Sequence, residues 1–210
     1  MRFYGTKALK STFPMQSEKQ IVLASASPRR KELLESIGVD FLIHPSTFKE
    51  LEEEDTPEDL AINNAIGKAQ NVRTHYKNAL IIGVDTVVAF QDHILGKPKD
   101  EEDAKRILRL LSNTTHKVIT GVCIMSTDSK KTLSASETTF VTFDRLDEEE
   151  IDEYVQSGEG WDKAAGYAIQ GMGALYIKGI EGDYFNVVGL PIYRLRKMLA
   201  KFGVKLFARS

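Results

Sequence analysis

The sequence contains a single cysteine, Cys123, among its 210 residues. An intrachain disulfide is therefore excluded, which fits a protein of a reducing compartment. Cys123 lies within the apolar segment 122–125, and this setting indicates a core thiol rather than a nucleophile or a metal ligand. Long apolar runs are missing too, because none approaches the roughly 18 residues that a membrane-spanning helix needs. We therefore predict no membrane partner.

An excess of charge of one sign is also absent. The chain has 28 Lys and Arg against 30 Asp and Glu, which gives a formal net charge of −2. A protein without a global basic field is not expected to bind nucleic acid, so any site for an anion must be built locally. The length suits one large domain or two small ones, and the chain shows no repeat, linker or low-complexity segment.

The first residues carry no clear targeting signal. We predict a flexible leader at residues 1–19 and a single domain at residues 20–210. The leader has no apolar stretch typical of a secretory signal peptide. Its basic residues and its Ser and Thr resemble an organelle transit peptide only faintly, and a frayed terminus is the favoured interpretation. Met15 is a second candidate start.

Strand-like and helix-like segments alternate along the chain, a pattern typical of α/β proteins. Residues 79–90 form an apolar, β-branched segment that predicts a central strand, and residues 117–127 and 132–143 predict a hairpin. We expect a mixed, twisted sheet flanked by helices around a central cleft. The other predicted elements are strands at residues 21–24 and 41–44 and helices at residues 28–37, 56–76, 100–111, 146–156 and 192–202.

Residues 25–30 look like an anion site at the entrance of a helix. Ser27 suits the N-cap, and Pro28 suits the first helical position, where its missing N–H costs nothing. Arg29 and Arg30 then fall in the first turn, where the helix dipole disfavours cations. Two arginines at this end are explained by a negative ligand, and phosphate is the usual one. A surface helix that happens to begin with basic residues is the alternative.

Asp85 is the second chemical signal, because it stands in the middle of an apolar strand. A carboxylate there is costly unless it is paired, hydrogen-bonded or bound to a metal. A metal ligand, a general base and a structural aspartate satisfied by backbone donors all fit this pattern. Lys97 follows within reach of a hairpin that returns from the same strand, which would set it beside Asp85. Taken alone, Lys97 is better explained as an exposed lysine in a turn.

The third signal is the glycine-rich stretch from residue 159 to residue 189. Lys163 and Gln170 lie between glycines, which suggests that backbone or a ligand comes close to them. Asp183 and Asn186 are better explained by helix capping and turn formation.

Taken in order, these motifs resemble the Maf family of nucleoside triphosphate pyrophosphatases. The resemblance covers residues 20 to 202, and the ordered set is specific although no single motif decides it. It implies a fold related to inosine triphosphate pyrophosphatases and hydrolysis between the α and β phosphates with a divalent metal. The matching segments are residues 23–30, 83–86, 96–98, 120–122, 162–171 and 182–191.

The resemblance also implies roles for individual residues. Asp85 matches the proposed general base, and Arg29, Thr86 and Gln170 match the trio of the subgroup that acts on dTTP and UTP. An amide such as that of Gln170 offers a donor and an acceptor side by side, as a uracil or thymine edge requires. Arg30 is then expected to clamp phosphate. The residues that match the lining of the nucleotide cleft are Ser25, Arg29, Arg30, Lys68, Lys97, Lys163 and Gln170.

The expected cofactor is Mg²⁺ or Mn²⁺ on Asp85, completed by an acidic residue or by water. Glu52, Glu53 and Glu54 compete for that acidic position, and Glu52 is the chosen candidate. Whether Asp85 is the base, a metal ligand or both stays open.

Two departures from the family pattern affect the loop that carries Lys163. The usual Gly-Glu-Pro is Gly-Glu-Gly at residues 158–160, with Trp161 after it. Ala165 replaces the first of two glycines.

The sequence thus predicts a cytoplasmic, metal-dependent pyrophosphatase for dTTP and UTP, with modified pyrimidine nucleotides as further candidate substrates. A nucleotide is its expected small-molecule partner, and the family is consistent with a homodimer. Two alternatives are a 7-methyl-GTP pyrophosphatase of the same family and a regulatory module that binds nucleotides without turnover.

Overall fold

A computed structural model describes residues 19–91 and 93–205, so residues 1–18 of the predicted leader lie outside the described part. The fold is mixed α/β, as predicted, with one seven-stranded sheet flanked by helices. The strands are β1 Gln20–Leu23, β2 Leu42–Ile43, β3 Ala79–Phe90, β4 His93–Leu95, β5 Thr115–Ser126, β6 Thr132–Phe143 and β7 Ile177–Glu181. The helices are α1 Pro28–Ser36, α2 Pro57–Arg73, α3 Glu101–Leu111, α4 Glu148–Ser157, α5 Tyr184–Val188 and α6 Ile192–Ala200.

The sheet has the order β2-β1-β3-β5-β6-β7, and β4 pairs with β3 outside this path. Strand β1 runs parallel to β2 and to β3, whereas the other pairs are antiparallel. The predicted hairpin is confirmed as β5 and β6, and β3 is confirmed as a central strand. None of the helices in the described ranges is long and apolar enough to cross a membrane.

Side-chain caps explain where several helices begin. Ser27 accepts a hydrogen bond from the Arg30 N–H at the start of α1, and Pro28 takes the first helical position, as predicted. Asp100 caps α3 in the same way. Helix α2 ends at Arg73, earlier than the predicted residue 76, because the chain must turn back into β3 and does so through Asn78 with a φ of 50°.

One edge of β3 contains a gap. Strand β5 pairs with residues 80–89 along one edge of β3. The other edge pairs with β1 through residues 79–82 and with β4 through residues 88–90. Within the described ranges, residues 83–87 therefore have no strand partner on this edge. At this gap, side chains from both faces of the sheet reach the same cleft.

Helix α2 lies directly against the sheet at two glycines. A Cβ on Gly83 would come within 2.0 Å of the Ala65 carbonyl oxygen, and one on Gly121 within 2.1 Å of the Ala61 carbonyl oxygen. Asp85 pairs with Gly121 across β3 and β5, so the glycine leaves space beside its side chain. This close approach brings the polar residues of α2 to Asp85.

Cys123 is confirmed as a core thiol, because it is fully buried, and this burial raises its pKa to about 12. A second buried titratable group is His116 on β5, which is 2% exposed. Its Nε2 lies 2.7 Å from the Tyr167 hydroxyl, whereas its Nδ1 has no hydrogen-bond partner. Burial lowers the pKa of His116 from 6.5 to about 4. The native protein therefore keeps this imidazole neutral.

His116 predicts a specific acid sensitivity. The unfolded chain binds a proton at this position below pH 6.5 and the native protein only below about pH 4, so stability falls as the pH drops through this window. The full loss is about 3 kcal/mol. Urea unfolding between pH 7 and pH 4 should therefore show a shallower pH dependence for His116→Gln than for the wild-type protein. The exposed His93 gives the control variant His93→Gln, and an equal change in both variants contradicts the assignment.

Candidate active site

The gap in the β3 edge opens into a cavity of about 640 Å³, within the size range of small-molecule sites. Loop 24–27 and helix α1 flank it on one side, and the turn after β4 flanks it on the other. The lining residues include Arg29, Arg30, Glu50, Lys68, Asp85, Thr86, Lys97, Glu159, Asp162, Lys163, Tyr167, Gln170 and Gly189.

Asp85 belongs to an ion cluster on the α2 face of the sheet, in which Lys68 bridges two carboxylates. Lys68 Nζ lies 2.6 Å from Asp85 Oδ1 and 2.5 Å from Glu50 Oε1. The side chains of Asp85 and Lys68 are 9% and 12% exposed, whereas that of Glu50 is 54% exposed. The buried carboxylate therefore has a largely buried cationic partner, as its position in an apolar strand requires.

Asn64 completes the partners of Asp85. Its Nδ2 donates to Asp85 Oδ2 at 3.2 Å and to the Leu51 carbonyl oxygen at 3.2 Å. Its Oδ1 accepts from the Leu51 N–H at 2.7 Å. The two carboxylate oxygens of Asp85 are thus each held by a side chain of α2.

Arg30 connects four segments on the opposite face of the sheet. Its Nε donates to the Gly189 carbonyl oxygen at 2.9 Å, and its Nη1 donates to Ser25 Oγ and to the Val84 carbonyl oxygen, each at 3.1 Å. Its Nη2 donates to Thr86 Oγ1 at 3.0 Å. Burial lowers the pKa of Arg30, and the nearby Asp85 and Glu50 carboxylates oppose this shift. Four of its five N–H groups bind protein, which leaves one for a ligand.

The hydroxyl of Thr86 belongs to the same network. It lies 2.9 Å from Thr120 Oγ1, and the Thr120 hydroxyl donates to the Asn186 carbonyl oxygen at 3.1 Å. Asn186 is buried and donates to the Val118 carbonyl oxygen and to Thr139 Oγ1. This chain of hydrogen bonds joins β3, β5, β6 and α5 below the cavity.

Three further cations reach the cavity from separate segments. Arg29 lies in the first turn of α1, Lys97 in the turn after β4, and Lys163 just before the 3₁₀ turn Ala164–Gly166. Lys163 pairs with Asp162, which lies next to it in the chain. The hairpin of β3 and β4 is confirmed, and it brings Lys97 to the same cavity as Asp85.

The loop that carries Lys163 and Gln170 is held by Glu159. Its carboxylate accepts from the Tyr154 hydroxyl and from the N–H groups of Met172 and Gly173. Burial acts to raise the pKa of Glu159, but these hydrogen bonds outweigh it and keep the pKa below its usual value. The glutamate that the family pattern shares at this position is therefore an anchor of the loop.

Ala165 stands where the family pattern has a glycine, and it adopts a φ of 56°. This left-handed conformation costs a non-glycine residue about 1–2 kcal/mol. The Ala165 N–H donates to the Gly96 carbonyl oxygen at 2.9 Å, next to Lys97. The strained turn thus joins the two lysine-bearing segments.

The structure brings most of the predicted site residues together. Ser25 differs: its hydroxyl accepts from Arg30 and from the Ser27 N–H, and it is not among the residues that line the cavity. Glu52, the predicted acidic residue, is not among the lining residues either. Glu50 is the carboxylate of this acidic segment that lines the cavity. Asn64 hydrogen-bonds the N–H and the carbonyl oxygen of Leu51, the residue that follows Glu50. The predicted residues on the cavity lining are Arg29, Arg30, Lys68, Asp85, Thr86, Lys97, Lys163 and Gln170.

Asn64 and Glu50 are the functional candidates that the sequence analysis missed. Asn64 carries a usable signal, because it is a polar residue on the buried stripe of α2, beside Ala61 and Ala65 and one turn before Lys68. Glu50 carries none, since a glutamate in a loop of several acidic residues cannot be distinguished from its neighbours by sequence.

The fold and the cavity fit one class of protein, an α/β enzyme with a cluster of cations beside a buried carboxylate. Five cationic side chains line one cavity with Asp85, in a chain whose net charge is −2. Such a concentration of positive charge is suited to phosphate groups.

Comparison with known proteins gives the family. A model of the Maf family, described as Maf-like protein, matches residues 20–202, and the chain belongs to this family. It is 49% identical over 190 residues to the dTTP/UTP pyrophosphatase of Ruminiclostridium cellulolyticum, covering 90% of this chain and 98% of that protein. It is 46% identical to the dTTP/UTP pyrophosphatase of Methanosarcina mazei, covering 91% of this chain and 98% of that protein. The chain is thus an enzyme of the pyrophosphatase class.

A solved structure, protein VC0702 from Vibrio cholerae, aligns with 57% of this chain and 58% of that chain, at a TM-score of 0.34 and 10% identity. This likeness is too weak for an argument about the fold. The expected relation to inosine triphosphate pyrophosphatase folds stays a prediction.

The contacts of Arg30 predict a strong effect on stability. Arg30→Ala removes the donor to the Val84 and Gly189 carbonyl oxygens, so we expect a loss of about 3 kcal/mol in the free energy of unfolding. Arg29 lines the cavity without such contacts, and Arg29→Ala should change stability by less than about 0.5 kcal/mol. Urea unfolding monitored by tryptophan fluorescence measures both. Similar losses in the two variants would show that Arg30 does not connect these segments.

Proposed function

We propose that this protein hydrolyses dTTP and UTP to the nucleoside monophosphate and pyrophosphate. The observation that carries the proposal is the buried Asp85, held by Lys68 at the edge of a cavity that Arg29, Lys97 and Lys163 also line. The dTTP/UTP pyrophosphatases that are nearly half identical to the chain support this substrate class.

The charges of the cavity match a triphosphate. A nucleoside triphosphate brings about four negative charges, and phosphoryl transfer depends on positioning and charge neutralisation. Arg29, Lys97 and Lys163 approach from three segments, so they can contact different phosphate groups. The Arg29 guanidinium can bind phosphate oxygens in a bidentate manner. Arg30 contributes mainly by holding the walls of the cavity, with one N–H left for the substrate.

Asp85 is proposed to act on the attacking water. A water between the carboxylate and the α phosphate would donate a hydrogen bond to Asp85 and be oriented for in-line attack. Asp85 would then accept its proton as the bond from the α phosphorus to the bridging oxygen breaks, which leaves the nucleoside monophosphate and releases pyrophosphate. Lys68 compensates the charge of the buried carboxylate through their ion pair.

The donor set of the cavity fits a divalent cation. Asp85 and Glu50 come from different segments and both contact Lys68 Nζ, and their hard oxygens are the ligands that Mg²⁺ and Mn²⁺ prefer. Two carboxylates are too few to fill an octahedral shell, which suits an ion that is completed by phosphate oxygens and water. Such an ion would neutralise phosphate charge and lower the pKa of the attacking water. Metal dependence is thus part of the proposal, with Glu50 in the place first given to Glu52.

Thr86 and Gln170 are proposed to select the base. Gln170 is exposed on the cavity lining, so its amide is accessible to a uracil or thymine edge. Thr86 acts differently, since its hydroxyl is already bonded to Arg30 and Thr120. It therefore shapes the pocket rather than offering a vacant hydroxyl. Modified pyrimidine substrates, a homodimer and a cytoplasmic location stay predictions.

The first test of the proposal is the reaction itself. Wild-type protein with UTP and Mn²⁺ should yield UMP and pyrophosphate, which anion-exchange chromatography resolves. Asp85→Asn should lower kcat by at least about 100-fold, the contribution of a general base. Isothermal titration should still detect nucleotide binding to this variant.

The control for this test is Asp128→Asn, which alters an exposed carboxylate in the turn between β5 and β6. It should retain wild-type turnover. Orthophosphate as the first product from UTP would overturn the proposed reaction. Turnover of Asp85→Asn at the wild-type rate would remove Asp85 from it.

Base selection predicts a second result. The kcat/KM for UTP and dTTP should exceed those for CTP and 7-methyl-GTP by about tenfold or more, since a bidentate hydrogen-bond pair discriminates by about 1–3 kcal/mol. Steady-state kinetics on the four nucleotides measures this directly. A preference for 7-methyl-GTP would assign the chain to a different substrate subgroup.

A further inference from the structure

Asn64 is a buried polar residue that the proposed chemistry does not use. It lies on α2, is 1% exposed, and contacts both Asp85 and the acidic loop, which we define as residues 50–55. We propose that Asn64 is a positioning residue that orients Asp85 and fixes Glu50 at the active site. The inference deepens the proposed function and rests on it.

The hydrogen bonds of Asn64 use its whole amide group. Oδ1 accepts from the Leu51 N–H, while the two hydrogens of Nδ2 go to the Leu51 carbonyl oxygen and to Asp85 Oδ2. The opposite orientation of the amide would place its oxygen against the Asp85 carboxylate and its NH₂ group against the Leu51 N–H. The hydrogen-bond network therefore fixes the orientation.

The bonds to Leu51 determine where Glu50 lies. Both peptide groups that flank the Leu51 α-carbon are held, so the backbone next to Glu50 is fixed although the Glu50 side chain is 54% exposed. This backbone position brings the Glu50 carboxylate to Lys68 Nζ. An unattached acidic loop would be repelled by Asp85, because both carry negative charge.

Asn64 and Lys68 act together on Asp85. They are four residues apart on α2, so they project from the same face of the helix. Lys68 binds Oδ1 of Asp85 and Asn64 binds Oδ2, which fixes the rotation of the carboxylate plane. Without Asn64, one oxygen loses its donor and the plane can rotate. Catalysis requires a carboxylate plane that does not rotate, because the base must face one water in one orientation.

The test compares Asn64→Ala with its neighbour variant Asn63→Ala. Asn63 is a matched control, since it lies on the same helix and donates to Glu54 Oε1 at 3.0 Å but does not contact Asp85. We expect Asn64→Ala to lower kcat for UTP by about 10- to 100-fold, as loss of an orienting partner does. The KM for UTP should change by less than about threefold, because the phosphate-binding cations are untouched. Asn63→Ala should keep wild-type kcat and KM.

A second measurement does not depend on turnover. Hydrogen exchange of the Leu51 amide, followed by NMR in the metal-free protein, should accelerate at least about tenfold in Asn64→Ala and stay unchanged in Asn63→Ala. Asn64→Asp serves if the alanine variant fails to fold, because it keeps the acceptor for Leu51 and replaces the donor to Asp85. It should therefore retain slow Leu51 exchange and lose turnover.

The outcomes separate the two proposals. A wild-type protein that hydrolyses no nucleoside triphosphate defeats the proposed function, and Leu51 exchange alone then decides whether Asn64 fixes the loop. With an active wild type, wild-type kcat in Asn64→Ala overturns the orienting role even if the variant is less stable. Wild-type exchange of Leu51 in Asn64→Ala overturns the fixing of the acidic loop.

Discussion

The contact between helix α2 and the sheet is the constraint on which the site depends. Side chains normally separate a helix from a sheet, but Gly83 and Gly121 let the backbone of α2 approach the strands directly. At this distance short and medium side chains of α2 reach Asp85, and the buried charge finds a cation and an amide donor. An alanine at either glycine would push the helix away, because backbone oxygens occupy the space that its Cβ would need. The cost of burying Asp85 would then have no compensation.

The gap in the β3 edge gives this buried group access to a substrate. Strand β1 ends and β4 begins on the same edge, and Arg30 rather than another strand donates hydrogen bonds to the stretch between them. Arg30 donates a hydrogen bond to the Val84 carbonyl oxygen, which would otherwise be an unsatisfied backbone group beside the cavity. The same arginine fixes the loop before α1 and the glycine turn after α5. A residue expected to bind phosphate is therefore first a structural connector.

Much of the fold could be predicted from local patterns. The cap at Ser27 and the apolar run of β3 are short-range signals, and the structure confirms the elements that they predict. Asp85 was identifiable because a carboxylate in an apolar strand needs a partner. The partners themselves were harder to predict: Glu50 differs from Glu52 only in its place relative to the Leu51 peptide. Such a difference depends on tertiary contacts, which the sequence pattern does not predict.

The alternation of side chains along β3 has a consequence for how this protein can change. Asp85 points to α2, whereas Thr86 points to the opposite face and joins the network of Thr120 and Asn186. Under the proposed function, two neighbouring residues thus serve different tasks on different sides of the sheet. Mutations that reshape the pocket beneath Thr86 need not disturb the contacts that hold the carboxylate. Substrate preference can therefore drift within a lineage while the hydrolytic machinery is inherited intact.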